Sequence, residues 1–130
     1  VLVLGEAIID DYQYVEAIGK SSKEPTLVVK TLSQERFIGG AAAVANHVAS
    51  FVNQVTLRAL LGEQNSQEAF LREKLKPAVR TKFLFRQNAP TIVKRRFIEQ
   101  YFFAKLFEVY EINDALPSDD DSRALADGLR

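Results

Sequence analysis

Phe37-Ile38-Gly39-Gly40-Ala41-Ala42-Ala43-Val44-Ala45 is the stretch that decides how this chain folds. An aromatic and β-branched end, Glu35-Arg36-Phe37-Ile38, reads as a strand. The paired glycines interrupt it, and strong helix formers follow. Val44, Val48, Phe51 and Val52 then fall at i, i+4, i+7 and i+8, which predicts the inward face of a helix that ends at Asn53-Gln54. A strand that turns into a helix through bare backbone leaves free N–H groups where no side chain blocks a ligand's approach.

Outward from that turn, the pattern is that of an α/β chain. Upstream, Thr26–Lys30 is a strand by β-branched content, and it is expected to pair with Glu35–Ile38 as a hairpin. The polar run Gly19–Pro25 and the pair Asp10-Asp11 read as loops. Val1-Leu2-Val3-Leu4, closed by Gly5, suits a parallel strand buried on both faces. Downstream, Val55–Leu61 closed by Gly62 is a strand, and Ser66–Leu75 a helix with Phe70, Leu71 and Leu75 inward. Thr81–Phe85 reads as a short strand; Ile92–Glu99 and Ala104–Glu111 read as two more, joined by an aromatic turn. Pro117-Ser118-Asp119 marks a helix start, and the amphipathic end carries Leu125 and Leu129 four residues apart. The order predicts an α/β core with a small added sheet, in one domain or part of one over residues 1–130.

Composition narrows the function. Seventeen Lys+Arg balance 17 Asp+Glu, which argues against bulk attraction to nucleic acid or an anionic membrane. No apolar run approaches the roughly 20 residues that span a bilayer. Without Cys there is no disulfide, thiol nucleophile or thiolate metal site, and one His makes no zinc cluster. Met is absent and Val1 falls inside a strand pattern, so the chain reads as part of a longer one.

Two nucleotide motifs fail. Gly19-Lys20-Ser21 resembles the end of a P-loop, but Tyr14 stands where the loop needs its first glycine. After Gly5 come Glu6, Ala7, Ile8, Ile9 and Asp10, with no second glycine for a dinucleotide fingerprint, which also weakens a nucleotide-dependent oxidoreductase. Asp119-Asp120-Asp121 reads as a solvated helix N-terminus, and His47 as a rim residue on the polar side of its helix.

Three features remain as candidates for one binding site. Asp10 follows the first strand, where open α/β sheets bind ligands, and a carboxylate there can accept two hydroxyls of a polyol; otherwise it is a turn residue. Gly39 and Gly40 open a helix; otherwise they make a tight turn. Lys94 and Arg96 share one face of a strand and Arg95 takes the other, so two cations about 7 Å apart can clamp an anion. The alternative is the solvated face of an edge strand.

Taken in order, Val1–Asp10, Phe37–Ala45 and Val55–Glu63 resemble the ribokinase-like (PfkB) carbohydrate kinase family. Asp10-Asp11-Tyr12, Glu35-Arg36 and Pro90-Thr91-Ile92-Val93-Lys94 with Arg96 look most like its heptose-phosphate kinase branch. The resemblance implies a doubly wound α/β domain, here partial, with a β-sheet lid at about 26–38 and 92–111. It further implies an ATP- and Mg2+-dependent cytoplasmic kinase acting on a sugar or sugar-phosphate hydroxyl, and a homodimer through the lid. Asp10 would match the sugar-hydroxyl acceptor, Gly39 and Gly40 the pocket glycines, and Lys94 and Arg96 lid positions facing a substrate phosphate. The family's catalytic motif, Asp-Thr-x-Gly-Ala-Gly-Asp, has no counterpart here; the base is expected beyond Arg130, no catalytic or metal residue is assigned, and this chain alone is expected to be inactive. Ala43 stands where the family places Asn, which puts the usual sugar in doubt. The competing reading is a non-catalytic, pseudokinase-like module that binds or dimerises.

Overall fold

A computed structural model describes residues 1–20 and 23–129. The first strand, β1 (Leu2–Lys20), is continuous over 19 residues and serves two sheets. Its start, Leu2–Glu6, pairs in parallel with β3 (Val55–Gln64). From Ile8 onward it pairs antiparallel with β2 (Leu27–Gly39) on one side and parallel with β5 (Ile92–Glu99) on the other. Beyond β3 lies β4 (Val79–Pro90), parallel to it, and beyond β5 lies β6 (Lys105–Glu111), antiparallel. The path β4-β3-β1-β5-β6, with β2 attached to β1, therefore contains a parallel core sheet and a small second sheet joined by one strand.

Helices cover both faces of the core sheet. α1 (Gly40–Val48) follows β2 and α2 (Glu68–Lys74) follows β3. Strand alternation sends Val55, Leu57, Ala59 and Leu61 toward them, where they pack with Ala7, Ile9, Ala41, Ala42, Ala45, Leu71 and Val93. On the opposite face, buried Arg58 donates from Nη2 to the Ala124 carbonyl of α3 (Asp119–Ala126). Ser118 caps α3: its Oγ accepts from the Asp121 N–H at 3.1 Å, and the Asp121 carboxylate accepts from the Ser118 N–H at 3.0 Å.

Several expectations are corrected. Asp10-Asp11 is no loop; it lies mid-strand, because both carboxylates meet arginines of β5 and so satisfy their charge within the sheet. Thr26–Lys30 and Glu35–Ile38 do not form a hairpin together. Leu27–Gly39 is one strand, and its partner is β1. The α1 face is only partly the predicted one: Val48 and Val52 pack against the core, but Ala41, Ala42 and Ala45 are the buried residues, and Val44 and Phe51 are exposed. Small residues win that face because α1 sits close against β1, and Phe51 falls beyond the helix, edge-on to His47. Val1 and Leu2 are exposed rather than buried on both faces, and Leu129 is exposed. The short strand at Thr81–Phe85 extends over Val79–Pro90. Ser21 of the tested P-loop, Ser22 and Arg130 lie outside the described residues.

Candidate functional site

The double role of β1 builds the candidate site. Residues directly opposite in neighbouring strands share a face, so the register groups Asp10 with Phe37 and Lys94, and Tyr12 with Glu35 and Arg96. Tyr110 and Glu108 of β6 stand opposite Lys94 and Arg96 on the same face. This inner face begins where β1 leaves the core sheet.

Its centre is a chain of charges. Arg96 Nη1 donates to Asp10 Oδ1 at 2.7 Å, and Arg96 Nε lies 3.2 Å from Glu108 Oε1. The Asp10 bond, working against burial, holds the Arg96 guanidinium above its ordinary pKa. Tyr110 donates its hydroxyl to Glu108 Oε2. That bond keeps the Glu108 carboxyl below its ordinary value and raises the Tyr110 phenol above its own. Lys94 rests its ammonium 5.4 Å from the Tyr110 ring centre, and the Arg96 guanidinium lies 5.4 Å from that of Tyr12. Tyr12 meets Phe37 edge-on at 5.7 Å.

Gly39 ends β2 beside Asp10. A Cβ on Gly39 would collide with Asp10 Oδ2, so the absent side chain is what admits the carboxylate there. Gly40 opens α1 at φ +57, and a Cβ there would meet the Glu6 carbonyl oxygen at 2.5 Å. Its bareness thus serves the approach of the helix to β1 as well as an open helix start, which no side chain caps.

The structure therefore brings Asp10, Gly39 and Arg96 into contact and sets Lys94 beside Asp10 in the adjacent strand. The edge-strand alternative for the basic residues does not hold, since β5 lies between β1 and β6. Nor do Lys94 and Arg96 form a pair of free cations, because two carboxylates hold Arg96. Sequence reasoning missed Phe37, Glu108 and Tyr110 as site residues. Two-residue alternation along β2 and β6 was the signal available, once their partners were known.

The other face carries a second Asp–Arg pair. Asp11, 1% exposed, accepts from Gln13 Nε2 at 3.0 Å, Gln34 Nε2 at 2.8 Å and Arg95 Nε at 2.9 Å. A separate cleft of about 390 Å³ between the end of β4 and α3 is lined by Ser118, Asp120 and Asp121 but by none of Asp10, Gly39, Gly40, Lys94 and Arg96; its Arg86 bonds the Ala115 carbonyl at 2.9 Å. Among the described residues, no group of three or more His, Asp or Glu side chains could hold a metal ion, and no helix is long and apolar enough to cross a membrane.

No family model matches the chain. It is 34% identical over 98 residues to a D-beta-D-heptose 7-phosphate kinase of Bordetella bronchiseptica, a match covering 75% of this chain and 31% of that protein. The chain thus spans about a third of that relative's length. Phosphofructokinase-2 from Escherichia coli, solved in complex with fructose-6-phosphate, superposes with a TM-score of 0.68 at 14% identity, over 98% of this chain and 39% of that one. Arabidopsis thaliana ribokinase, complexed with ribose and ATP, gives a TM-score of 0.57 at 21% identity, over 95% of this chain and 41% of that one.

Proposed function

We propose, for a chain that has the ribokinase-like fold and is similar in sequence to the heptose-phosphate kinases, that it forms the sugar-recognition and lid portion of an ATP-dependent carbohydrate kinase. The observation that carries this reading is the convergence of Asp10, the bare Gly39 backbone and the inner face of the small sheet. A carboxylate accepts sugar hydroxyls, aromatic rings pack on the apolar face of a sugar ring, and charged neighbours fix its orientation. Asp10 Oδ1 is engaged by Arg96, so Asp10 and Arg96 together offer an acceptor and donors to a polyol. Lys94, with no carboxylate among its described contacts, is the cation left to meet an anionic group such as a substrate phosphate.

The small sheet acts as a lid in this reading. By closing on the sugar it excludes water, which would compete as phosphoryl acceptor. Among the described residues no group of three or more His, Asp or Glu side chains could hold a metal ion, and of the glycine pair Gly39 faces Asp10 while Gly40 faces the Glu6 carbonyl. The chain's own part is to bind and orient the sugar.

The test is ATP-dependent turnover of a heptose 7-phosphate by the full-length protein, comparing wild type with Asp10→Asn. Loss of charge-assisted hydrogen bonds to the sugar lowers kcat/KM by about 10- to 100-fold. Unchanged sugar kinetics would remove Asp10 from the site. The exposed Tyr101-Phe102-Phe103 turn supports contact between two copies through the small sheet, and a concentration-dependent dimer without any turnover would favour a non-catalytic module instead.

A further inference from the structure

We propose that Asp11 is a positioning residue: through Arg95 it fixes the strand register that aims Asp10 and Arg96 at the substrate. This rests on the sugar-binding reading of the inner face. Asp10 and Asp11 are consecutive, so alternation sends them to opposite faces of β1. Each meets an arginine of β5, and the two arginines are consecutive as well.

The two pairs differ in what surrounds them. Asp10 and Arg96 have side chains 26% and 17% exposed, so an arriving hydroxyl can reach them and exchange with existing partners. The Asp11 side chain is 2% exposed and receives its hydrogen bonds from Gln13 of β1, Gln34 of β2 and Arg95 of β5. Arg95 Nη1 also approaches Glu111 of β6 at 3.9 Å, so one buried carboxylate is linked to every strand of the small sheet. A buried charge is tolerated only when its partners are all in place, and few strand arrangements satisfy this one. A slip of one residue would exchange the faces, burying Asp10 and turning Asp11 toward the substrate. The outer pair therefore holds the geometry while the inner pair, bonded to each other, stays accessible to a substrate.

The experiment compares Asp11→Asn and the double variant Asp11→Leu/Arg95→Leu with wild type in the full-length protein. The double variant replaces the ion pair with apolar side chains, a change that often preserves stability. The kinetic readout is the KM for a heptose 7-phosphate with ATP. Misplacement of binding groups raises KM by roughly 10- to 100-fold in both variants. A purely structural role would reduce the amount of active protein and leave KM within about twofold of wild type, which overturns the proposal. The second readout needs no sugar: the Arg96 Nε–H resonance shifts and its exchange quickens in both variants, and an unchanged resonance also overturns the proposal. If wild type shows no turnover, the sugar-kinase reading fails and the Arg96 resonance alone decides the role of Asp11.

Discussion

Thr91→Val tests the joint between the two sheets. Thr91 lies between β4 and β5 and is 1% exposed. Its Oγ1 accepts from the Gly62 N–H at 2.9 Å and donates to the Ser66 carbonyl at 2.6 Å. Valine has nearly the same shape, so packing is retained while both hydrogen bonds vanish. The Gly62–Thr91 bond is buried, and Gly62 lies so close to the Ala89–Thr91 backbone that a Cβ there would collide with it. An unsatisfied buried group costs about 1–3 kcal/mol; the Gly62 N–H incurs this in full and the half-buried Ser66 carbonyl less, so we expect a loss of ~2–4 kcal/mol. With a urea m-value of about 2 kcal/mol/M, the unfolding midpoint falls by about 1–2 M at unchanged slope. Thr91→Ser is the control: it keeps the hydroxyl, loses one methyl group and costs about 0.5–1.5 kcal/mol. A valine variant as stable as the serine variant would refute the reasoning, because it would show that the hydroxyl contributes no net stability at this joint.

Other consequences follow from the inner face. Gly39 has φ −128, which alanine adopts readily, so Gly39→Ala acts through its clash with Asp10 rather than through the backbone. It should displace the carboxylate from Arg96 at a cost of about 1–2 kcal/mol, read as a midpoint shift in urea and an altered Arg96 Nε–H resonance; an unmoved resonance would show that the two groups do not press on each other. The Glu108 carboxyl is held low in the folded protein, chiefly by the Tyr110 hydroxyl. Its contribution to stability is therefore present above its unfolded pKa and lost as pH falls through the lower folded value. Tyr110→Phe should return the Glu108 titration toward the ordinary carboxylate range, followed by carbon-detected NMR; an unshifted titration would assign the depression to other neighbours.

The core was legible wherever hydrophobic pattern and local geometry agreed. Val55–Leu61 is a strand as its short apolar run closed by Gly62 implies, buried on both faces from Leu57 onward, and Ser118 with Asp121 marks the start of α3 by capping chemistry that needs no tertiary context. The pattern failed where a partner strand supplied the missing stabilisation. Asp10 and Asp11 lower strand propensity locally, and only the arginines of β5, 84 to 86 residues away, make that segment a strand. The partly different face of α1 has a similar origin: Val44 and Phe51 are large apolar groups, but the close approach of Gly40 to β1 favours alanines in the first turns, and only Val48 and Val52 of the predicted face reach the core. The sequence named Asp10, Gly39 and Arg96 separately, and their contact depends on a register it did not disclose.

That register also changes the electrostatics expected of the site. On the strand alone, Lys94 and Arg96 read as two equivalent cations. In the fold, Arg96 is shared between Asp10 and Glu108, so adding a phosphate dianion beside it would also place that phosphate near two carboxylates. Repulsion at such range, in a site partly withdrawn from water, offsets much of the attraction to the guanidinium. A neutral polyol meets no such conflict, since its hydroxyls can donate to Asp10 and accept from Arg96 at once. Lys94 differs because its ammonium rests on the Tyr110 ring, which stabilises a cation without neutralising it. In the proposed sugar site the arrangement would separate two tasks that the sequence had merged: Asp10 with Arg96 would take the hydroxyls, and Lys94, which stands opposite Asp10 but rests on the Tyr110 ring, would be the cation left for a negative charge on the substrate.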